Sequence, residues 1–255
     1  MLIGLASVKG SPGVTSTALA LAAVWPRPVV LLEADPAGGD LAYRCRAAHG
    51  GPVYSQRGLL KLAAAVRGGL PSNDVLSNEA QLLACGVNLV QGVTTAAQAR
   101  GFGGIWPTIA QACTMAEVDV IADLGRLDRT SPVMALAQST TYLLPVASAT
   151  LEAAMHLTEG LQDVMGGLAQ YGAVNIGPVL VGPDSQAARD CADLDDMLHR
   201  AGLPTLPALP MPYDPKALLR LEQGEKASGR LGRTLLLRGA KSIAASMGAV
   251  EAVSA

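Results

Sequence analysis

Residues 2–17 of the chain read Leu2-Ile3-Gly4-Leu5-Ala6-Ser7-Val8-Lys9-Gly10-Ser11-Pro12-Gly13-Val14-Thr15-Ser16-Thr17, and the architecture of the whole chain depends on them. The first residues are apolar and predict a buried strand, the glycines and the proline predict a loop, and the end begins an alanine- and leucine-rich run that predicts a helix. Glycines let such a loop curl until several backbone N–H groups point inward, beside the partially positive N-terminus of the helix. This order of elements predicts a polyphosphate-binding loop. A chance turn between a strand and a helix is the alternative.

The common phosphate-loop pattern G-x-x-x-x-G-K-[ST] fits this stretch only in part. Thr15 stands where a hydroxyl ligates Mg²⁺, but Val14 stands at the lysine position and Val8 at the first glycine position. A cation at the lysine position stabilises charge in the transition state, and terms of this kind contribute roughly 10²–10³ in rate. We therefore expect nucleotide binding to survive better than hydrolysis, so that the protein is at most a weak ATPase.

The loop fits K-G-G-x-G-K-[ST] better and so resembles the deviant loop of the MinD/ParA group of P-loop ATPases, which belong to the SIMIBI class. Lys9, Gly10, Gly13 and Thr15 are in register with that pattern, whereas Ser11 and Val14 depart from it. The resemblance implies ATP and Mg²⁺ as cofactors and Lys9 as the signature lysine, which reaches the partner subunit's nucleotide in a homodimer. The nucleotide-binding residues that it implies in this loop are Lys9, Gly10, Ser11, Pro12, Gly13, Val14, Thr15 and Ser16.

Composition limits the classes of protein that the chain can belong to. Its 255 residues suit one sizeable α/β domain, and 50% hydrophobic against 16% charged residues provide ample material for a core. No stretch offers about 20 consecutive apolar residues, so we expect a cytoplasmic protein without a membrane span. The net charge of −2 gives no overall electrostatic case for nucleic acid. The four cysteines are far apart, which argues against a zinc site or a disulfide framework.

A second informative segment comes after the apolar run Val29-Val30-Leu31-Leu32, which is typical of a parallel strand covered on both faces. It contains Glu33 and Asp35 and resembles the D-x-D-P-x-G switch I segment of the same family. The resemblance implies that Asp35 orients the attacking water, senses the γ-phosphate and lies on the metal side of the site. As alternatives, Asp35 is a helix N-cap or turn former, and Glu33 is a solvated strand end.

A third segment, Val118-Asp119-Val120-Ile121-Ala122-Asp123-Leu124-Gly125, is an apolar strand that ends in an aspartate two residues before a glycine. It resembles a Walker B/switch II element, in which Asp123 would hold a magnesium-bound water and the Gly125 N–H would lie near the γ-phosphate. A strand-ending aspartate in an ordinary turn is the alternative. Arg126 and Arg129 come next, either as switch residues or as part of a solvated loop.

Further along the chain, Pro212-Tyr213-Asp214-Pro215 resembles the family's P-x-D loop, which packs against adenine and implicates Pro212 and Asp214 in nucleotide binding. Gly182 and Pro183 stand where the family places an Asn or Arg that reads the base, so a side-chain contact to the base is not implied there. His156 has no clustered partner in the sequence and is interpreted as a surface or packing residue.

Alternating apolar strands and helical patterns predict a doubly wound, mainly parallel α/β sheet flanked by helices, with one P-loop ATPase-like domain over residues 1–255. The C-terminal helix and tail occupy residues 230–255. Basic residues on this helix could contact anionic lipid or DNA phosphates, although a closing surface helix is the alternative. The other predicted helices are residues 15–25, 58–66, 105–116, 148–165 and 194–201, and the later strands are residues 87–92, 141–146 and 175–183.

The altered loop and the strand-then-turn segment Leu89 to Gly92 are most similar to the CpaE/TadZ branch of the family. This resemblance implies an ATP-dependent homodimer that acts as a spatial switch or localisation factor for pilus or secretion machinery, with slow or absent hydrolysis. It also implies an unidentified protein partner and a position at the inner face of the membrane or the cell pole. Two alternatives are an active partitioning ATPase that binds DNA and a nucleotide-free pseudo-ATPase scaffold.

Overall fold

The computed structural model describes residues 1–10, 12–54, 57–69, 72–168 and 174–254, with only the backbone described over 249–254. The predicted nucleotide contact at Ser11 lies outside these residues. The strands are β1 (Leu2–Ser7), β2 (Val29–Glu33), β3 (Gln81–Leu82), β4 (Asn88–Val90), β5 (Asp119–Arg126), β6 (Tyr142–Ser148), β7 (Asn175–Ile176), β8 (Val179–Gly182) and β9 (Leu209–Pro212). The helices are α1 (Val14–Val24), α2 (Leu41–Arg44), α3 (Leu59–Val66), α4 (Val75–Glu79), α5 (Ala96–Arg100), α6 (Trp106–Met115), α7 (Met134–Gln138), α8 (Leu151–Leu168), α9 (Ala187–Arg200), α10 (Pro215–Glu222) and α11 (Leu235–Ser254).

In the described part of the chain, nine strands form one sheet in the order β3-β4-β2-β5-β1-β6-β8-β9, with β7 also paired to β6. Every pair is parallel except β3 with β4. The phosphate-loop strand β1 therefore lies at the centre, between β5 and β6. The predicted mainly parallel α/β fold is confirmed.

Helices cover both faces of the sheet and bury an apolar core on each side. One core lies under α3, α6, α8 and α9, and the other lies under α1, α10 and α11. All six residues of β1 are buried, as expected for a central strand whose two faces are both covered. This arrangement brings the carboxyl ends of β1, β2, β5, β6, β8 and β9 to one edge, where ligands bind in open α/β sheets.

Two predicted elements have different bounds in the structure. The helix predicted at residues 194–201 begins earlier, at Ala187. The prediction missed this start because the first half of the helix presents charged residues to solvent and buries only Cys191 before Leu194. The single strand predicted at residues 175–183 is two strands, β7 and β8, separated by Gly177 and Pro178. Proline has no backbone N–H to donate, which accounts for an interruption of strand pairing there.

The C-terminal segment is also helical, but the long helix α11 begins at Leu235 rather than at residue 230. A short 3-10 turn at Leu231–Arg233 precedes it. Its buried residues pack against α1 and β9, so one of its faces closes the core. None of the helices in the described residues is both long and apolar enough to cross a membrane.

Candidate nucleotide-binding site

The loop between β1 and α1 opens onto free space. Gly10 and Gly13 have φ values of 74° and 99°, in the left-handed region, and a Cβ added to either would meet nothing within 4 Å. Gly13 precedes α1 without a side-chain cap, and the first turn of α1 carries no acidic residue. The first N–H groups of a helix have no intrahelical partner and attract negative charge. The geometry therefore suits an anionic ligand at the start of α1.

The two valines that break the phosphate-loop pattern are used in packing. Val14 is buried in the core beneath α1. Val8 faces α8, where a Cβ added to Gly160 would lie 2.5 Å from the Cβ of Val8. The absence of a side chain at Gly160 therefore makes room for the valine that stands at the first glycine position of the loop.

Thr15 and Asp123 meet at the base of the loop. The Thr15 Oγ1 donates a hydrogen bond to the Asp123 Oδ2 at 2.5 Å, and the Gly125 N–H donates to the Asp123 Oδ1 at 3.0 Å. Burial, with a smaller contribution from the charge of Asp35, raises the pKa of the Asp123 carboxyl to about 6, although these two hydrogen bonds act to lower it. A buried carboxyl of this kind is stabilised by a proton or by a nearby cation.

The tips of β2 and β5 abut beside this contact. A Cβ on Gly125, whose φ is 62°, would collide with the carboxyl group of Asp35, so only a glycine fits there. The Asp35 Oδ1 accepts a hydrogen bond from the Ala37 N–H at 2.7 Å, which is the predicted turn-forming contact. Burial raises the pKa of Asp35, and the charge of Asp40 adds to that rise. The structure thus brings Asp35, Asp123 and Gly125 together.

Glu33 is buried, with 1% of its surface exposed, so its interpretation as a solvated strand end is wrong. Its Oε1 accepts from the Leu41 N–H at 2.9 Å and its Oε2 accepts from the Gly92 N–H at 3.1 Å. Glu33 lies opposite Asp123 in the register of β2 with β5. Burial, assisted by the charge of Asp123, raises the pKa of Glu33 to about 7. The residue fixes the loops at the ends of β2 and β4.

Lys9 is exposed, and its Nζ lies 2.8 Å from the Nε2 of His156 on α8. Glu152 and Glu159 lie on either side of that imidazole, at 3.7 and 3.8 Å. His156 thus has a side-chain partner in Lys9, which its isolated position in the sequence does not indicate. In this conformation the predicted signature lysine is held by its own chain.

A cleft of about 530 Å³ runs from the loop along the ends of β6, β8 and β9. Its outer walls are largely apolar and include Val181, Gly182, Pro183, Met211, Tyr213 and Leu236. Pro212 and Asp214, predicted to contact nucleotide, both line it. The Asp214 Oδ1 also accepts from the Ala217 N–H at 3.0 Å and so caps α10. A cleft of this volume with largely apolar walls and a few polar groups is typical of a small-molecule site.

Sequence reasoning missed Arg44, at the end of α2. Its guanidinium donates to the Ser16 Oγ at 3.0 Å and, through Nε, to the Glu222 Oε1 at 2.9 Å. No pattern in the sequence links these three positions, which belong to three different helices. Of the two arginines interpreted either as switch residues or as part of a solvated loop, Arg126 is exposed and Arg129 pairs with Asp163 on α8 at 2.6 Å.

No group of three or more His, Cys, Asp or Glu side chains in the described residues could hold a metal by itself. Mg²⁺ in nucleotide sites takes one or two protein oxygen ligands and completes its shell with water and phosphate oxygens. The Thr15 hydroxyl and the Asp123 carboxyl are two oxygen-bearing groups that lie 2.5 Å apart.

No protein-family model matches the chain, and no curated protein sequence matches it. Several solved structures do. A ParA family ATPase from Chlorobium tepidum superposes with a TM-score of 0.71 and 16% identity, over 95% of this chain and 98% of that one. The septum site-determining protein MinD of Pyrococcus horikoshii, in complex with Mg-ADP, gives 0.70 and 15%, over 100% and 98%. Cobyrinic acid a,c-diamide synthase from Mycobacterium smegmatis, with ADP and magnesium, gives 0.65 and 16%, over 96% and 93%.

At these identities the likeness shows the fold, and the fold is that of the MinD/ParA P-loop NTPases. The edge of the sheet at which the chain places its loop, Asp123 and Asp35 is the edge where ligands bind in such folds.

The packing of Val8 on Gly160 can be tested by a double-mutant cycle. Gly160→Ala should destabilise the protein by about 1–3 kcal/mol because its Cβ would overlap a β-branched side chain. Val8→Gly should remove that penalty, so the free energies of unfolding should be strongly non-additive in urea titrations. Gly166→Ala in the same helix is the control, since nothing lies within 4 Å of its added Cβ. Additive effects would show that Val8 does not face α8.

The raised pKa of Glu33 predicts a pH-dependent stability. The folded state binds this proton up to about pH 7, whereas the unfolded state releases it near its ordinary value of 4.5. The free energy of unfolding should therefore fall between these values as pH rises, by at most about 1.4 kcal/mol per pH unit for one proton. Glu33→Gln should remove this part of the slope, while Glu117→Gln, at an exposed site, should keep it. Parallel curves for the wild type and Glu33→Gln would contradict the assignment.

Proposed function

We propose that the protein binds ATP with Mg²⁺ at the loop and cleft and works as an atypical MinD/ParA-like switch, in which nucleotide controls a homodimer. The observation that carries the proposal is the 2.5 Å contact between the Thr15 hydroxyl and the buried Asp123, at the base of an open glycine loop. Nucleotides with magnesium occupy the solved structures of two proteins with the same fold. The residues of this chain fit the same group.

In this proposal each part of the site has a role. The loop residues Lys9 to Ser16 surround the phosphates, and the N-terminus of α1 adds its partial positive charge. Thr15 and Asp123, with Asp35 nearby, lie on the metal side. A bound Mg²⁺ would neutralise phosphate charge there. Pro212 and Asp214 border the base in the apolar cleft.

Hydrolysis is proposed to be slow or absent. Val14 is buried in the core and offers no positive charge to the phosphates. Asp35 remains the candidate for orienting water. The Gly125 N–H, which donates to the Asp123 Oδ1 in this structure, is the candidate γ-phosphate sensor. A site that lacks one cation can still bind nucleotide, because loop N–H groups and a metal ion contribute to binding without it.

The homodimer is proposed to close through Lys9. Lys9 is exposed, and the neighbouring start of α8 carries the exposed apolar side chains Leu151 and Met155, 70% and 50% exposed. Exposed apolar groups of this size beside a functional lysine favour a protein interface. To reach a second subunit, Lys9 would have to leave His156.

The output of the switch is proposed to be the recruitment of a partner protein, with pilus or secretion components as the candidates suggested by the similarity to the CpaE/TadZ branch. The location would then be peripheral, at the inner face of the membrane or the cell pole. A nucleotide-free scaffold is the second candidate function, favoured by the use of Val8 and Val14 in packing rather than in binding.

Nucleotide binding is tested by calorimetric titration with ADP and ATP, with and without Mg²⁺. The wild type should bind more tightly with Mg²⁺, and Asp123→Asn should lose that gain, with a fall of at least about tenfold. Because the pKa of Asp123 is raised to about 6 by burial, the gain from Mg²⁺ should weaken as pH falls below that value. Asp184→Asn, at an exposed site, is the control. A wild type that binds neither nucleotide would leave only the scaffold.

Dimer control is tested by light scattering. The wild type should change from monomer to dimer on addition of Mg-ATP, and Lys9→Ala should remain a monomer. Lys61→Ala, an exposed lysine on α3, should behave as wild type. An unchanged oligomeric state with and without ATP in all three proteins would disprove the switch.

A further inference from the structure

Arg44 brings a positive charge to the first turn of α1. One of its terminal nitrogens donates to the Ser16 Oγ at 3.0 Å, and both that nitrogen and Nε donate to the Glu222 Oε1. The contact joins the end of α2, the start of α1 and the end of α10. The side chains of Arg44 and Glu222 are only 29% and 12% exposed, so the guanidinium is held in place rather than solvated.

The site needs such a charge. Val14 provides none at the lysine position, and the described residues that line the cleft and the hollow beside the loop include only Lys9 and His156 as basic side chains. Lys9 is engaged with His156 on the side of the loop that faces α8. Arg44 does not itself line the cleft or the hollow, but its guanidinium donates a hydrogen bond to Ser16, which lines the cleft.

Ser16 connects Arg44 to the cleft. It lines the cleft, and its Oγ accepts a hydrogen bond from the guanidinium. A serine hydroxyl can accept and donate at once, so the Ser16 proton is left to donate elsewhere. A charged donor on the oxygen polarises that hydroxyl and strengthens the hydrogen bond that it donates.

We propose that Arg44 is a positioning residue for the phosphate groups of the bound nucleotide, which aims the Ser16 hydroxyl at them and compensates in part for the cation missing at Val14. This inference rests on the proposed nucleotide binding. It assigns to α2 a part in the site that neither the loop pattern nor the likeness of fold gives it.

Glu222 makes the proposal testable, because substitutions of Arg44 and of Glu222 should change the nucleotide affinity in different directions. Removing Arg44 removes the positive charge and leaves Ser16 undirected. Replacing Glu222 by Gln keeps an oxygen that can accept from Arg44 but removes the negative charge beside the phosphates. If the ion pair had only a structural role, Arg44→Gln and Glu222→Gln should instead lower the stability, and with it the nucleotide affinity, by similar amounts.

The experiment measures Mg-ADP affinity by calorimetry for Arg44→Gln and Glu222→Gln. Arg44→Gln should weaken binding by about 10- to 100-fold, the range of a lost hydrogen bond to a charged group. Glu222→Gln should bind as tightly as the wild type or a few-fold more tightly. Arg220→Gln is the control, since it removes the same charge from an arginine on α10 that pairs with Glu225. It should leave the affinity unchanged.

Two further variants separate positioning from folding. The double variant Ser16→Ala/Arg44→Gln should bind Mg-ADP no more weakly than the weaker-binding of the two single variants. Both substitutions act through the same Ser16 hydroxyl, so their effects on affinity should not add. Arg44→Lys keeps the charge but not the planar fork, so it should lose less affinity than Arg44→Gln and should retain the wild-type unfolding temperature. If Arg44→Gln does not fold, Arg44→Lys provides the measurement.

Each outcome of these titrations decides between the two proposals. Wild-type affinity in both Arg44 variants, or an equal loss in Glu222→Gln, would overturn the role of Arg44 while leaving nucleotide binding intact. A wild type that does not bind Mg-ADP would overturn the proposed function and this inference with it. A weakened Arg44→Gln with a tight Glu222→Gln would support both.

Discussion

The hydrogen bond from Thr15 to Asp123 is the interaction on which the geometry of the site depends. β1 and β5 are parallel neighbours, with Leu5 opposite Asp123. Thr15 lies in the first turn of α1, the helix that comes after β1, so its hydroxyl joins the end of the loop to the tip of the adjacent strand. Asp123 is buried, and a buried carboxyl without a partner would cost several kcal/mol. If the loop moved away from β5, the Asp123 carboxyl would lose its hydrogen bond from Thr15.

The loop is shaped by packing as well as by glycines. Gly10 and Gly13 supply the left-handed turns, but Val8 is accommodated only because α8 has no side chain at position 160. Val14 stands where the common phosphate-loop pattern has a lysine, and its side chain adds to the core under α1. Neither valine offers a positive charge to an anionic ligand, which is the physical basis for expecting that nucleotide binding would be retained better than hydrolysis.

The sequence predicts the fold well because its strands are continuous apolar runs that end in polar tips, and parallel sheets collect such tips at one edge. It predicts Asp35, Asp123 and Gly125 together for the same reason. It fails where contacts are long-range. The sequence leaves Glu33 open between two roles, since only the tertiary structure buries it beneath the loops.

Arg44 and His156 show the same limit in the site. Arg44 lies 28 residues from Ser16 and 178 residues from Glu222. Lys9 and His156 are 147 residues apart. Local periodicity carries no information about such pairs. The start of α9 is predicted too late for a local reason instead, because its first half contains Arg189, Asp190 and Asp193 and no large apolar side chain.

Burial raises the pKa of the carboxyl groups of Glu33, Asp35 and Asp123, and Asp123 interacts electrostatically with each of the other two. Without a positive charge nearby, such buried carboxyl groups favour their protonated forms. The tips of β2 and β5 touch at Asp35 and Gly125, where a Cβ on Gly125 would collide with the Asp35 carboxyl. The Gly125 N–H donates a hydrogen bond to Asp123, so the charge of Asp123 acts next to the segment that comes after β2. That segment leads through α2 to Arg44, so a short stretch of one chain connects the surroundings of Asp123 with the hydrogen-bond partner of Ser16.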